Sequence, residues 1–408
     1  MNAIVRIAAL ASISLALAGH VVRADEIDDC VRKFTDEQLL ATAQHDNIRV
    51  ITLSKEGLRE CGERAIFYFN MTMPLISLGR EQEAQEALQN CLDLEALHVG
   101  CLKNLGNLYS SQGRYVDAIT QYQKILEVNP QDDDAMDNLA VVRIREGNFA
   151  EAIGTAHRAV GVRPSNIHAR ITLARAYLAD EQWRKAIDAI DDAAYINPHF
   201  PGLRQAIGQV LVTAREAVRR EARKAKNDAW AQYYLARVTE TVEEEKKILS
   251  KVMRLDSGQP RILNRYAYGL EADKLQESLE VLDKCLTIDA AYWPCMMLKG
   301  DRLRRAGRSE EARVVFETGQ LTAPYVPSFY WYLGLLFATQ GELERAIEQL
   351  ERGFELGESP VFRGLAAELY RDSGNLDSAI WHASRGAMAG NMKCRKLLAE
   401  LQDTGHQD

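Results

Sequence analysis

An all-α solenoid of stacked helical hairpins is the fold class that this sequence predicts, and three observations predict it. Pro130, Pro164 and Pro198 recur at intervals of 34, as do Ala84, Ala118, Ala152 and Ala186. Between these markers the apolar residues keep a helical period, with Leu102, Leu105, Gly106 and Tyr109 before Gly113, and Ala118, Ile119, Tyr122 and Ile125 after it. Composition agrees: 10 prolines and 26 glycines are few for 408 residues, and aromatic residues are 7%, which excludes collagen-like and low-complexity chains and argues against an all-β one. With 50 basic against 58 acidic residues the formal charge is −8, which opposes nonspecific attraction to nucleic acid.

From the N-terminus, Met1–Ala24 carries Arg6, an apolar run from Ile7 to Ala18, and small Val22 and Ala24 just before acidic Asp25. This predicts a cleaved export signal and a mature chain that begins at Asp25, periplasmic or secreted. A retained membrane anchor and an organellar transit peptide are the competing readings. The apolar run is too short to be read first as a spanning helix, so no transmembrane segment is expected in the mature chain. Residues 25–64 repeat poorly; Cys30, Val31, Leu39, Leu40 and the stretch from Leu53 to Leu58 suggest helices that cap the open face of the first hairpin.

Hairpins begin at Ala65, Val99, Asp133 and Ile167, forming an N-terminal arm over 65–200. In the Val99 hairpin Gly113 breaks the first helix, and Pro130 ends the second because it has no amide donor. The repeat then falters: Leu203 to Lys226, rich in Arg, Ala, Glu and Gln, predicts one long linker helix. A hairpin from Ala229 with a short turn near Glu240 follows. Further units at Gln259, Trp293, Pro327 and Pro360 complete a C-terminal arm over 229–393, with Gly307, Gly341 and Gly374 at the turns and Ala312, Ala346 and Ala379 five positions later. Residues 394–408 predict a polar, frayed tail. No hairpin of this length buries its apolar face alone, so the units must stack.

These residues resemble the tetratricopeptide repeat family, best over Val99–Asp132, with Leu102, Leu105, Gly106, Tyr109, Ala118, Tyr122 and Pro130, and over Pro327–Ser359, with Tyr330, Leu333, Gly334, Phe337, Ala346 and Leu350. The resemblance implies a right-handed superhelix, a concave groove lined by positions 2, 5, 9, 12 and 13 of each unit, and no catalytic apparatus. In the first unit those positions are apolar: Ile66, Phe69, Met73 and Ile76, with Ser77. They either face a ligand or lie under the cap. Later units offer Lys103, Asn107, Ser110, Asn138 and Arg145 nearby, then Arg175, and toward the end Asp301, Arg304, Arg305, Trp331, Glu368, Arg371 and Asp372.

Two candidate partner-binding surfaces follow from this. Trp331, ringed by Arg304, Arg305 and Arg371, is either an aromatic anchor for a peptide or a packed residue whose arginines pair with Asp301, Glu368 and Asp372. Lys103, Asn107, Asn138 and Arg175 form the second. Lys103, Asn107 and Asn138 also fall where chaperone-tail clamps of this family hold a C-terminal carboxylate, but His168 and Thr172 replace the clamp's remaining cations.

Seven cysteines in an exported chain ask for pairing. Cys91 and Cys101, and again Cys285 and Cys295, occupy position 27 of one unit and position 3 of the next. This identical register predicts two disulfides that lock neighbouring units, with small buried thiols as the alternative. Cys30 and Cys61 make the natural third pair, leaving Cys394. The scattered histidines and the lack of CxxC predict no metal. No nucleotide-binding, hydrolase or metalloprotease motif occurs, so neither catalysis nor a cofactor is expected. Arg215, Arg219, Arg220, Arg223, Lys224 and Lys226 form either a solvated helix face beside an acidic turn or a dock for an acidic partner. The expected function is a non-catalytic scaffold or assembly factor of the cell envelope that binds protein or peptide. A recruiting subunit of a polysaccharide or secretion apparatus, and a structural subunit of a large complex, are the alternatives.

Overall fold

The computed structural model describes residues 29–43, 46–270 and 274–404, and these form 22 α-helices with no strand. The export segment, Met1–Ala24, lies outside the described residues. In chain order the helices are α1 (Asp29–Ala43), α2 (Asn47–Glu60), α3 (Ala65–Ser77), α4 (Glu81–Leu94), α5 (Val99–Ser111), α6 (Tyr115–Val128), α7 (Asp133–Glu146), α8 (Phe149–Val162), α9 (Ile167–Ala179), α10 (Trp183–Ile196) and α11 (Leu203–Lys224). They continue as α12 (Ala229–Arg237), α13 (Val242–Leu255), α14 (Pro260–Gly269), α15 (Leu275–Ile288), α16 (Trp293–Arg305), α17 (Ser309–Thr322), α18 (Pro327–Thr339), α19 (Leu343–Leu356), α20 (Pro360–Asp372), α21 (Leu376–Met388) and α22 (Met392–Thr404). None of them is long and apolar enough to cross a membrane.

The repeat spacing becomes packing in one way throughout. Ala84, Ala118, Ala152, Ala186, Ala312, Ala346 and Ala379 are all fully buried where the second helix crosses the first. In some hairpins a glycine on the first helix also lets a large residue lie flat: a methyl group on Gly106 would stand 2.7 Å from the Tyr122 ring, and one on Gly334 would stand 2.8 Å from Leu350. The turn between the two helices needs a left-handed residue, which Gly113 supplies at φ 76°. In the hairpin of α9 and α10 that place falls to Glu181, at φ 58°, the one non-glycine residue with positive φ among the described residues.

The chain divides into two compact units, one of residues up to 148 together with those from 370 onward, the other of residues 149–369. In the first, α1 and α2 cap α3: Phe34 meets Phe67 edge-on at 6.1 Å, and Ile66 and Phe67 pack into the same cluster as Val50 and Leu53. Ile76 is likewise covered by Ile51, whereas Met73 stays 54% exposed. The expected polar tail is corrected here. Cys394, Leu397 and Leu401, spaced along one face of α22, are buried, so the segment is a packed helix through Thr404.

In the second unit the long helix is present, as α11 of 22 residues, ending at Lys224 instead of Lys226. Leu203, Ala206, Val210, Ala214, Val218 and Ala222 form its single buried ridge. It does not separate two arms, however. The expected arms, 65–200 and 229–393, differ from the compact units, because α10 on one side of α11 is tied to α12 and α14 on the other by ion pairs.

Three disulfides join Cys30 to Cys61, Cys91 to Cys101 and Cys285 to Cys295, with Cα–Cα separations of 5.8, 6.5 and 6.6 Å, and Cys394 is free and buried. The two register-matched bridges each link a second helix to the next first helix. Non-reducing peptide mapping should recover both, and removing either should cost about 3 kcal/mol on the loop-entropy estimate, with helix content retained because helical hydrogen bonds are local. Free thiols at all four positions under oxidising conditions would reject the pairing.

Candidate interaction surface

The inner face of the 149–369 unit is occupied by the chain itself. Leu94, Val128 and Ile288 end second helices α4, α6 and α15 and are 43%, 54% and 45% exposed, whereas Ile196, which ends α10, is 1% exposed. The first helices of the following hairpins cover it. Ser328 of α18 donates to the Ile196 carbonyl at 2.8 Å, and Asn197 donates to the Glu358 carbonyl at 2.9 Å. Tyr195 meets Trp293 of α16 edge-on at 6.4 Å, and His199 meets Phe362 of α20 at 5.8 Å.

Charge fixes α10 in that place. Asp188, Asp191 and Asp192 project from one face of the helix, at i, i+3 and i+4. Arg237 of α12 grips Asp191 through two bonds of 2.9 and 2.5 Å, both side chains being buried, and Glu245 stands 3.7 Å behind the guanidinium. Arg261 of α14 bridges Asp188 at 3.1 Å and Asp192 at 2.7 Å, while Tyr234 donates to Asp188 at 2.8 Å. Burial by itself would raise the Asp191 carboxyl, but Arg237, with Arg265 and Arg261 behind it, more than offsets this and holds it below the ordinary value. Burial pulls Arg237 down and Asp191 outweighs it, so the guanidinium stays charged. Asp188 and Asp192 come out the other way, raised by burial that Arg261 only partly opposes. The repeat pattern does not reveal this network, and sequence reasoning missed it. The available signal was the run Asp188–Asp192 on a second helix, with Arg237, Arg261 and Arg265 on first helices beyond the long one.

Trp331 is corrected from a groove anchor to a packed residue. Its indole is fully buried, stacked on Phe362 at 5.4 Å and 19°, with Phe354 at 6.3 Å and Gly353 against its edge. Its arginine ring is also engaged: Arg304 and Arg305 both pair with Asp301 at 2.8 Å, Arg304 lies over Tyr332, and Arg371 pairs with its neighbour Asp372 at 2.8 Å. Arg371 belongs to the other compact unit.

On α5 and α7 the first-helix positions remain accessible. Asn107 is exposed, accepting from the Tyr122 hydroxyl at 2.6 Å, and Lys103 and Asn138 are half-buried. Arg145 is exposed and donates to the Ser110 hydroxyl and carbonyl at 2.9 and 3.1 Å, bridging the two helices. Arg175 is exposed on α9, in the second unit. The carboxylate-clamp geometry fails on α9, where Thr172 is buried and His168 packs against Phe200 at 4.8 Å. Cys91, His98 and Cys101 come within 4.8 Å of one another, but the sulfurs are bonded together and His98 Nδ1 accepts the Cys101 amide at 3.1 Å as a helix cap.

Three models of the tetratricopeptide repeat match the chain, over residues 100–132, 143–210 and 297–360. No curated protein matches it. Among solved structures, the crystal structure of MamA protein is similar at 18% identity and a TM-score of 0.36, covering 41% of this chain and 92% of that one. The APC/C Cut9–Hcn1 hetero-tetramer is similar at 11% identity and 0.41, covering 91% and 89%. A tetratricopeptide repeat protein from Parabacteroides merdae is similar at 12% identity and 0.35, covering 80% and 100%. Likenesses of this size say nothing of what the chain binds. Tetratricopeptide repeats mediate protein–protein interaction, and proteins built from them are in general non-catalytic. The recurrence of 34, the stacked hairpins and the three repeat matches together make this chain a tetratricopeptide repeat protein.

Proposed function

We propose that the chain is a non-catalytic scaffold or assembly factor of the cell envelope, and that it holds a protein or peptide on the first-helix face of its N-terminal hairpins. The observation that carries this reading is a difference between the two units. The inner face of residues 229–369 is filled by α10, whereas Met73, Ser77, Lys103, Asn107 and Asn138 on α3, α5 and α7 keep accessible surface. A groove already filled by its own chain has no room for a partner, so binding falls to the face that is open. The envelope location is supported by the leader-like Met1–Ala24 and by three disulfides, which persist in oxidising compartments.

Photo-crosslinking residues placed at Met73, Asn107 and Asn138 should capture one partner from the native envelope fraction. The same residue at Val116, 73% exposed on α6, should not. Capture from Val116 alone would overturn the choice of face. N-terminal sequencing of the endogenous protein should begin at Asp25, and a Met1 start in the cytoplasm would overturn the location.

A further inference from the structure

The outer face of α11 carries a block of unneutralised positive charge. Two of its cations are accounted for, since Arg215 and Arg219 reach Glu240 in the turn after α12 at 2.8 and 3.8 Å. Its two acids are also engaged, Glu216 with Arg219 at 3.4 Å and Glu221 with Arg184. Arg220, Arg223, Lys224 and Lys226 are exposed and form no ion pair among the described residues. The face extends beyond one helix: Lys251 of α13 donates to the Lys226 carbonyl at 2.8 Å, which places Lys247 and Arg254, one turn to either side of it and both exposed, beside the same end. In a chain of net charge −8 this concentration runs against the average.

We infer that this face docks an acidic segment of a partner protein, at a site separate from the one proposed on α3, α5 and α7. The inference rests on the scaffold reading and adds the partner's chemistry. The charges are held in position, because the opposite ridge of α11, from Leu203 to Ala222, is buried along its whole length. Guanidiniums at 220 and 223, with ammonium groups at 224 and 226, present a fork-and-point array spaced for carboxylates one helical turn apart. Charge complementarity therefore selects an acidic occupant. A membrane surface fits less well, since Val212 is the one large apolar side chain of α11 that is exposed, and it offers too little to insert.

The test uses the full mature chain and a labelled short oligoglutamate peptide, followed by fluorescence anisotropy at increasing salt. Arg220→Glu, Arg223→Glu and Lys224→Glu combined should weaken binding at least tenfold and flatten its salt dependence. The same three reversals placed at Lys55, Lys124 and Lys396 should change it less than twofold, which separates the local site from net charge. Arg220→Lys with Arg223→Lys, which keeps the charge and removes the fork, should weaken it severalfold. Both triple variants are checked for wild-type helix content and melting. Equal loss in both triple variants, or no loss in the first, overturns the inference. So does binding to phosphatidylserine vesicles with none to the peptide. Failure here leaves the scaffold reading intact if crosslinking through Asn107 still captures a partner.

Discussion

Trp331→Ala is expected to lower the stability of the 149–369 unit by about 3–5 kcal/mol, as large-to-small changes of a buried indole do. The ring is fully buried, lies flat on Phe362 of the next hairpin, and has Gly353 against its edge with no room for a side chain. Its removal opens a cavity between two neighbouring hairpins, where the surrounding helices cannot collapse without shifting their own register. Urea unfolding followed by intrinsic fluorescence and circular dichroism measures the effect, and Trp331→Phe should retain much of the lost stability by keeping an aromatic on Phe362. A loss under about 1 kcal/mol, together with weakened partner binding, would return Trp331 to the role of a groove anchor.

Asp191→Ala should cost about as much, 3–5 kcal/mol, because it leaves the Arg237 charge buried with its main partner gone. Arginine cannot escape by losing its proton, so the burden falls on folding. Replacing both, as Asp191→Leu with Arg237→Met, should recover most of the loss, since an apolar pair needs no compensation. The pH dependence has a definite sign. Asp191 is held below the ordinary carboxylate value, so its contribution is present above about pH 3.9 and disappears as pH falls through its own lower value. Asp188 and Asp192 are raised, so their cost to the folded state at neutral pH is relieved as pH falls through their higher values. Asp191→Asn should therefore flatten the acid side of the stability profile. A double variant no more stable than Asp191→Ala alone would show that the loss does not come from the stranded Arg237 charge.

Local features of the chain are legible in its amino-acid pattern. The turn glycines, the crossing alanines and the helix-ending prolines each answer a constraint within one hairpin, so Gly113, Ala118 and Pro130 identify themselves by spacing. The disulfides at Cys91–Cys101 and Cys285–Cys295 are legible for the same reason, because equal register gives equal distance between adjacent helices. The cap and the long helix are visible from what fails to repeat. Their surroundings are less visible: α22 reads as a tail because only Cys394, Leu397 and Leu401 mark its buried face.

The sequence by itself determined a tetratricopeptide repeat solenoid, its hairpin boundaries, its bridges and the long α11, since all of these depend on contacts within a unit or between neighbours. Only the tertiary structure decided which faces are open. Whether Trp331 meets solvent or Phe362, and whether the inner face of residues 229–369 is a groove or a seat for α10, depends on contacts such as Asn197 to Glu358, 161 residues apart. The superhelical path that brings such residues together is a sum of small rotations over many hairpins. No single repeat encodes it, so a pattern read unit by unit places Asp191 and Arg237 on their helices but cannot place them against each other.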